Sequence, residues 1–167
     1  RLLEGKADVF RPDTNCGHTG MGIEKIREWV GERHWDVIHF NFGIWDSHYL
    51  RNGEMVTAMK PSAEELKEVQ LRYTTDQYLE NLRRILGVLK ETKAVLIWAT
   101  TTPVTSWDEA RQAALREKNV AAERLMRKEG VRIDDLSGLV LPHVQAWQME
   151  DGCHFGPEGC TELGKQV

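Results

Sequence analysis

Apolar runs of strand length alternate along the chain with helical stripes. Asp36 to Phe42, Ala94 to Thr100 and the short Val131 to Asp134 read as buried strands, and a further strand is expected from Ala7 to Arg11. Between them lie segments of helical period. From about Met21 to Val30, Ile23, Ile26 and Val30 share one face, and Thr19 is placed to cap the first turn. From about Thr75 to Lys90, Tyr78, Leu82, Ile85, Leu86 and Leu89 form an apolar stripe with Arg83 and Arg84 outside it. A long helix follows the strand that Pro103 stops; Ser106 and Glu109 offer it a capping box, and its small-residue face runs from Ala110 to Leu125 before Gly130 ends it. A last helix starts at Pro157. Strands alternating with helices predict a parallel sheet flanked by helices, an α/β fold in one domain.

One stretch lacks either period. After Asp46 the chain stays polar to about Tyr73, with His48, Tyr49, Arg51 and Lys60-Pro61-Ser62. It reads as an insertion, with His48 a solvated loop histidine. Long loops at the carboxyl ends of parallel strands line ligand crevices, so substrate selectivity is expected here.

Composition narrows the function classes. The 167 residues are 41% hydrophobic and 29% charged, enough for one sizeable core. A formal charge of -4, with Lys and Arg interspersed among Glu, leaves no basic stripe for nucleic acid. No apolar run approaches the roughly 20 residues that span a bilayer, and no signal peptide is visible. The 6 tryptophans show no repeat and read mostly as core or crevice wall, with a sugar-stacking platform at Trp45 or Trp107, near predicted strand ends, as the less common alternative. The 3 cysteines allow at most one bridge.

The candidate chemistry lies near the end, in Asp151-Gly152-Cys153-His154. A carboxylate three residues before a histidine can hold one ring nitrogen, fix the tautomer and leave the other nitrogen to accept a proton from a nucleophile. Gly17, before the first helix, offers a backbone N–H where the helix dipole favours an anion, or merely permits a tight turn. A different reading gathers Cys16, His18, Cys153 and His154 into a zinc site, although neither pair has the usual ligand spacing.

Three blocks in order carry a family resemblance. Asn15-Cys16-Gly17-His18-Thr19, Gly43-Ile44-Trp45-Asp46 after a buried strand, and Asp151 with His154 resemble the second, third and last blocks of the SGNH (GDSL-type) hydrolases. The resemblance implies a three-layer flavodoxin-like fold and carboxylic ester hydrolysis by a Ser-His-Asp triad, with Asp151 and His154 as two members. It implies no cofactor, and a small-molecule or glycan ester as substrate, an acetylated sugar among the candidates. Gly17 would supply an oxyanion N–H. Trp45 stands where the family has an asparagine donor, so its indole or the Asn41 amide would replace it. The family brings the second and last blocks together, which leaves open a Cys16–Cys153 bridge or three reduced thiols, with Cys160 on the last helix.

Nothing here matches the family's opening G-D-S block, and none of Ser47, Ser62, Ser106 and Ser137 sits on a strand-to-helix turn beside Gly and Asp. The segment from Arg1 to Phe10 matches the end of the family's first helix and its second strand, which places the nucleophile upstream. The alternative is an inactive module that binds an ester or glycan. In the family's strand order the upstream strand is central. Without it, rows of buried N–H and C=O groups lose partners at about 1–3 kcal/mol each, against a total stability of about 5–15 kcal/mol. Residues 1–167 made alone are therefore expected not to unfold cooperatively as a monomer, a result that urea denaturation followed by circular dichroism checks.

Overall fold

The apolar runs do become the centre of a parallel sheet. The computed structural model describes residues 3–167. In chain order its elements are α1 (Thr19–Val30), β1 (Val37–Phe40), β2 (Tyr49–Arg51), β3 (Glu54–Met55), β4 (Gln70–Leu71), α2 (Thr75–Glu91), β5 (Val95–Ala99), α3 (Glu109–Lys128), β6 (Arg132–Asp134), α4 (Leu136–Val140), α5 (Val144–Trp147) and α6 (Pro157–Gln166). The parallel sheet has the order β1-β5-β6, with Val37 opposite Val95 and Trp98 opposite Ile133. Helices flank it, and the fold is α/β as expected.

Strand alternation decides which side chains make the core. Leu96 and Trp98 of β5 are buried with Tyr78, Leu82, Ile85, Leu86 and Leu89 of α2, and with Ile26 of α1 and Ala122, Leu125 and Met126 of α3. Gly22 lets α1 approach this core: a methyl there would meet Ile85 Cδ1 and Phe42 Cζ at 2.8 Å. The start of α2 is set by a capping box between Thr74 and Gln77.

Five expectations differ. Ala7 to Arg11 forms no strand; its residues are mostly exposed and no neighbouring strand among the described residues pairs with them. A strand exists only as part of a ladder, so an extended segment without a partner stays irregular. Of the segment expected to end a helix, Arg1 and Leu2 lie outside the described residues, and Leu3 to Lys6 form a turn. The cap of α1 is His18, whose Nδ1 accepts from Met21 N–H, because Thr19 is turned inward. The cap of α3 is Asp108, not Ser106, and the helix begins at Glu109. Asp wins because its ionised carboxylate, accepting from Arg111 N–H, is the stronger partner for a helix N-terminus. The polar stretch after Asp46 contains a small antiparallel sheet of order β3-β2-β4, built from strands too short to show a period.

One buried carboxylate joins the sheet to two helices. Asp46 is fully buried, and its Oδ1 accepts from both Thr19 N–H and the Thr19 hydroxyl, while Asn81 Nδ2 donates to Thr19 Oγ1 at 2.9 Å. The loop before it is held by Phe42 O, which accepts from Tyr78 OH at 2.7 Å and Thr101 Oγ1 at 3.0 Å. Burial pushes the Asp46 carboxyl up, and the Thr19 bonds and the nearby Lys118 ammonium oppose that shift. Asp46→Ala in the natural protein should lower stability by about 3 kcal/mol or more, since each hydrogen bond to a charged acceptor is worth about 1.5–3 kcal/mol; urea unfolding measures it.

Candidate active site

The segment Asp151 to His154 is a turn closed on itself. Asp151 Oδ1 accepts from Cys153 N–H and His154 N–H, both at 2.9 Å, and Oδ2 lies 2.6 Å from His154 Nδ1. An ionised carboxylate only accepts, so Nδ1 carries the proton and Nε2 is left as the basic nitrogen. The His154 hydrogen bond, followed by those two backbone bonds, holds the Asp151 carboxyl down at about 2. The imidazole is 76% exposed, open to a reacting group.

Neighbouring segments hold this turn. Thr105 N–H donates to Gly152 O at 2.8 Å, Met149 N–H donates to His154 O at 2.8 Å, and Gln148 Nε2 donates to Pro103 O at 2.6 Å. Gly152 has φ +63°, and a methyl on it would meet Ser106 N at 2.7 Å, so only glycine fits. Cys153 of the turn and Ile44 of the loop after β1 both pack against the buried cluster of Val104, Trp107 and Leu115. Thr105 and Gln148 were not singled out by sequence. The run of polar residues Thr100 to Thr102 before Pro103, at the carboxyl end of a buried strand, was the available signal.

The expected oxyanion donors fare differently. Gly17 N–H is occupied, donating to Asn15 Oδ1 at 2.8 Å. Asn41 Nδ2 is occupied too, donating to Ala99 O at 2.7 Å and Thr101 Oγ1 at 3.0 Å. Both bonds have one cause: a polar group in a turn or beside a strand end takes the nearest partner. Trp45 begins a short 3₁₀ turn and is half-buried.

The aromatic surroundings also depart from expectation. Trp107 is 2% exposed and packs in the core, the role expected for most of the tryptophans, so the sugar-platform alternative does not apply to it; His48 is the residue that departs. His48 is not solvated: its ring lies between Trp45 and Trp107 at centroid distances of 5.5 and 5.4 Å, and its Nδ1 is buried without a partner. Burial, then the charges of Arg111 and Arg72, pushes its pKa down to about 4, so it is neutral near pH 7. Arg111 is buried, spans Tyr49 and Trp107 at 4.7 Å from each ring, and donates to Ala58 O and Met59 O at 2.9 and 2.7 Å. It pins the polar insertion to α3.

Three other candidates separate. Cys16 packs with the main core and Cys153 with the second cluster, and all three thiols are free, so the Cys16–Cys153 bridge is not formed. Among the described residues no three His, Cys, Asp or Glu side chains converge on a metal position; His18 is spent on its helix and His154 on Asp151. Ser106 comes near the turn through its backbone, but its Oγ is buried and without a partner.

No family model matches the chain, and no curated protein does. Solved structures match it. A lipolytic protein of the G-D-S-L family from Veillonella parvula aligns with a TM-score of 0.64 and 15% identity, covering 89% of this chain and 72% of that one. A lipase/acylhydrolase from Enterococcus faecalis gives 0.64 and 19%, covering 89% and 67%. A carbohydrate esterase of family 3 from Talaromyces cellulolyticus gives 0.63 and 15%, covering 90% of this chain but only 63% of the esterase. No helix of the described residues is long and apolar enough to cross a membrane. The α/β architecture, with its parallel sheet and flanking helices, is the fold of the SGNH (GDSL-type) hydrolases.

Proposed function

We propose that the chain carries the acid–base half of a carboxylic ester hydrolase. The observation that carries this reading is the Asp151–His154 pair, held in a turn that leaves Nε2 free, in a fold shared with esterases and acylhydrolases. His154 takes the proton of a serine hydroxyl as the oxygen attacks the ester carbonyl. It then gives that proton to the departing alcohol, and a water molecule, activated in the same way, releases the acid. Asp151 orients the ring and stabilises the imidazolium. The Trp45 indole N–H and the serine's own amide are the oxyanion donors; Gly17 joins them where Asn15 gives up its bond.

A place for the serine supports the reading. Beside the edge of β1, which pairs only with β5 among the described residues, runs a groove of about 650 Å3 lined by Phe10, Pro12, Val37, His39, Asn41 and Cys16. A strand lying parallel to β1 in that groove would end at Cys16 and Asn41, beside the loops that hold Gly17 and Trp45. We take this as the seat of the first strand, one domain with residues 1–167. An acetylated sugar or another small carboxylic ester is the proposed substrate.

Hydrolysis of p-nitrophenyl acetate by the natural protein tests the assignment. His154→Ala should reduce kcat by roughly a thousandfold or more, the scale of losing a triad member. Absence of turnover in both proteins would favour an inactive ester-binding module. Asp151→Asn should reduce kcat by a comparable factor by favouring the wrong tautomer. Asp151 stays ionised until the pH falls toward about 2, where its contribution to folding is also lost. The acid limb of the kcat/KM profile should therefore not titrate at Asp151; a limb near pH 2 would contradict this.

A further inference from the structure

The small sheet β3-β2-β4 ends by placing one arginine at the rim of the site. Arg72 follows β4; its N–H donates to His48 O at 2.8 Å and its Nε donates to Trp45 O at 3.0 Å, so backbone and side chain are both fixed. The residue is half-buried. Its terminal NH2 groups make no hydrogen bond to the described residues and stay open to solvent, and no carboxylate there forms an ion pair with it. Arg111 differs, since it is buried and its Nη2 donates to both the Ala58 and Met59 carbonyls.

The surroundings contain little to neutralise Arg72. His18 and His48 both have lowered pKa values, from burial first and from neighbouring guanidinium charge after it, and Arg72 contributes to both. Of the nearby acids, Asp46 is buried and bonded to Thr19, and Glu24 acts on His18 and Tyr73 without bonding Arg72. The rim connects to the catalytic turn: His48 packs on Trp107, and Trp107 packs with Cys153, the neighbour of His154. A guanidinium held at Nε, with both outer donors unused, presents a fork that fits a carboxylate, sulfate or phosphate.

We propose that Arg72 binds an anionic oxygen group on the substrate, so that the preferred ester is one that carries a negative charge outside the scissile bond. This rests on the hydrolase reading above and names the substrate class for it.

The test compares acetate release by the natural protein from phenyl acetate, 4-acetoxybenzoate and 4-acetoxyphenyl sulfate. The charged esters should be preferred at low salt, and the charged-to-neutral ratio of kcat/KM should fall roughly tenfold to a hundredfold in Arg72→Gln, the span of a hydrogen bond to a charged group. The change should lie mainly in KM, and Arg72→Lys should recover part of it. Preference between the two charged esters tells carboxylate from sulfate. A ratio that Arg72→Gln leaves unchanged would overturn the proposal. A second measurement does not need turnover: quenching of tryptophan fluorescence by 4-hydroxybenzoate and 4-hydroxyphenyl sulfate in His154→Ala protein. Binding that the added Arg72→Gln weakens by a similar factor supports the anion site even where no ester is hydrolysed. Binding of neither anion would overturn it.

Discussion

The contact on which the rest depends is the buried bond set between Asp46 and Thr19. The loop after β1 has to turn sharply over the end of the sheet, and the start of α1 has to meet it. Both bring unpaired polar groups into a place without water, and each unpaired group there costs about 1–3 kcal/mol. A single carboxylate oxygen accepting from the amide and hydroxyl of Thr19, with Asn81 closing the set from α2, pairs these groups, while Asp46 Oδ2 stays buried without a partner among the described residues. That geometry then determines where Trp45 and His18 stand, since each adjoins one of the two bonded residues. Asp46 is thereby a structural acid.

A second set of bonds, none of them within a helix or named strand, performs the same service for the turn from Asp151 to His154. Thr105, Gln148 and Gly152 fasten the residues before His154 to the loop that leaves β5. Loops at the carboxyl ends of parallel strands are where such folds carry chemistry, and their precision has to come from side-chain to backbone bonds because no ladder reaches them. The Asp151 side chain continues this logic: with one oxygen it fixes the turn, and with the other it fixes the imidazole.

Much of this was legible in the sequence where a period or a fixed spacing carries the signal. The strand at Val95–Ala99 and the helix at Thr75–Glu91 follow directly from an apolar run and a stripe, and the D-x-x-H spacing led to a pair that does bond. What was not legible depends on partners distant in the chain. Ala7 to Arg11 has strand composition, but pairing decides whether a strand forms. Asn41 and Gly17 have the right donor chemistry, and only the fold reveals that Ala99, Thr101 and Asn15 use it. His48 likewise was read as a solvated histidine of a polar stretch; its burial follows contacts with Trp45 and Trp107, beside a buried Arg111 of α3 that holds the insertion by its Ala58 and Met59 carbonyls.

Environment, more than residue type, also separates the histidines. His18 accepts a hydrogen bond from Met21 N–H and His48 lies beside two indoles, and burial first, then cationic neighbours, lower the pKa of both rings. His154 has the opposite surroundings: an ionised carboxylate at Nδ1 and solvent around the rest of the ring. A base that must gain and lose a proton in one cycle needs a partner that stabilises the cation, and of these three rings only His154 has one. The two neutral rings contribute no charge of their own beside Arg72, which leaves the site with a fixed positive rim and a single switchable proton carrier. Such a division lets binding and proton transfer vary independently, because a change at the rim leaves the hydrogen bond between Asp151 and His154 intact.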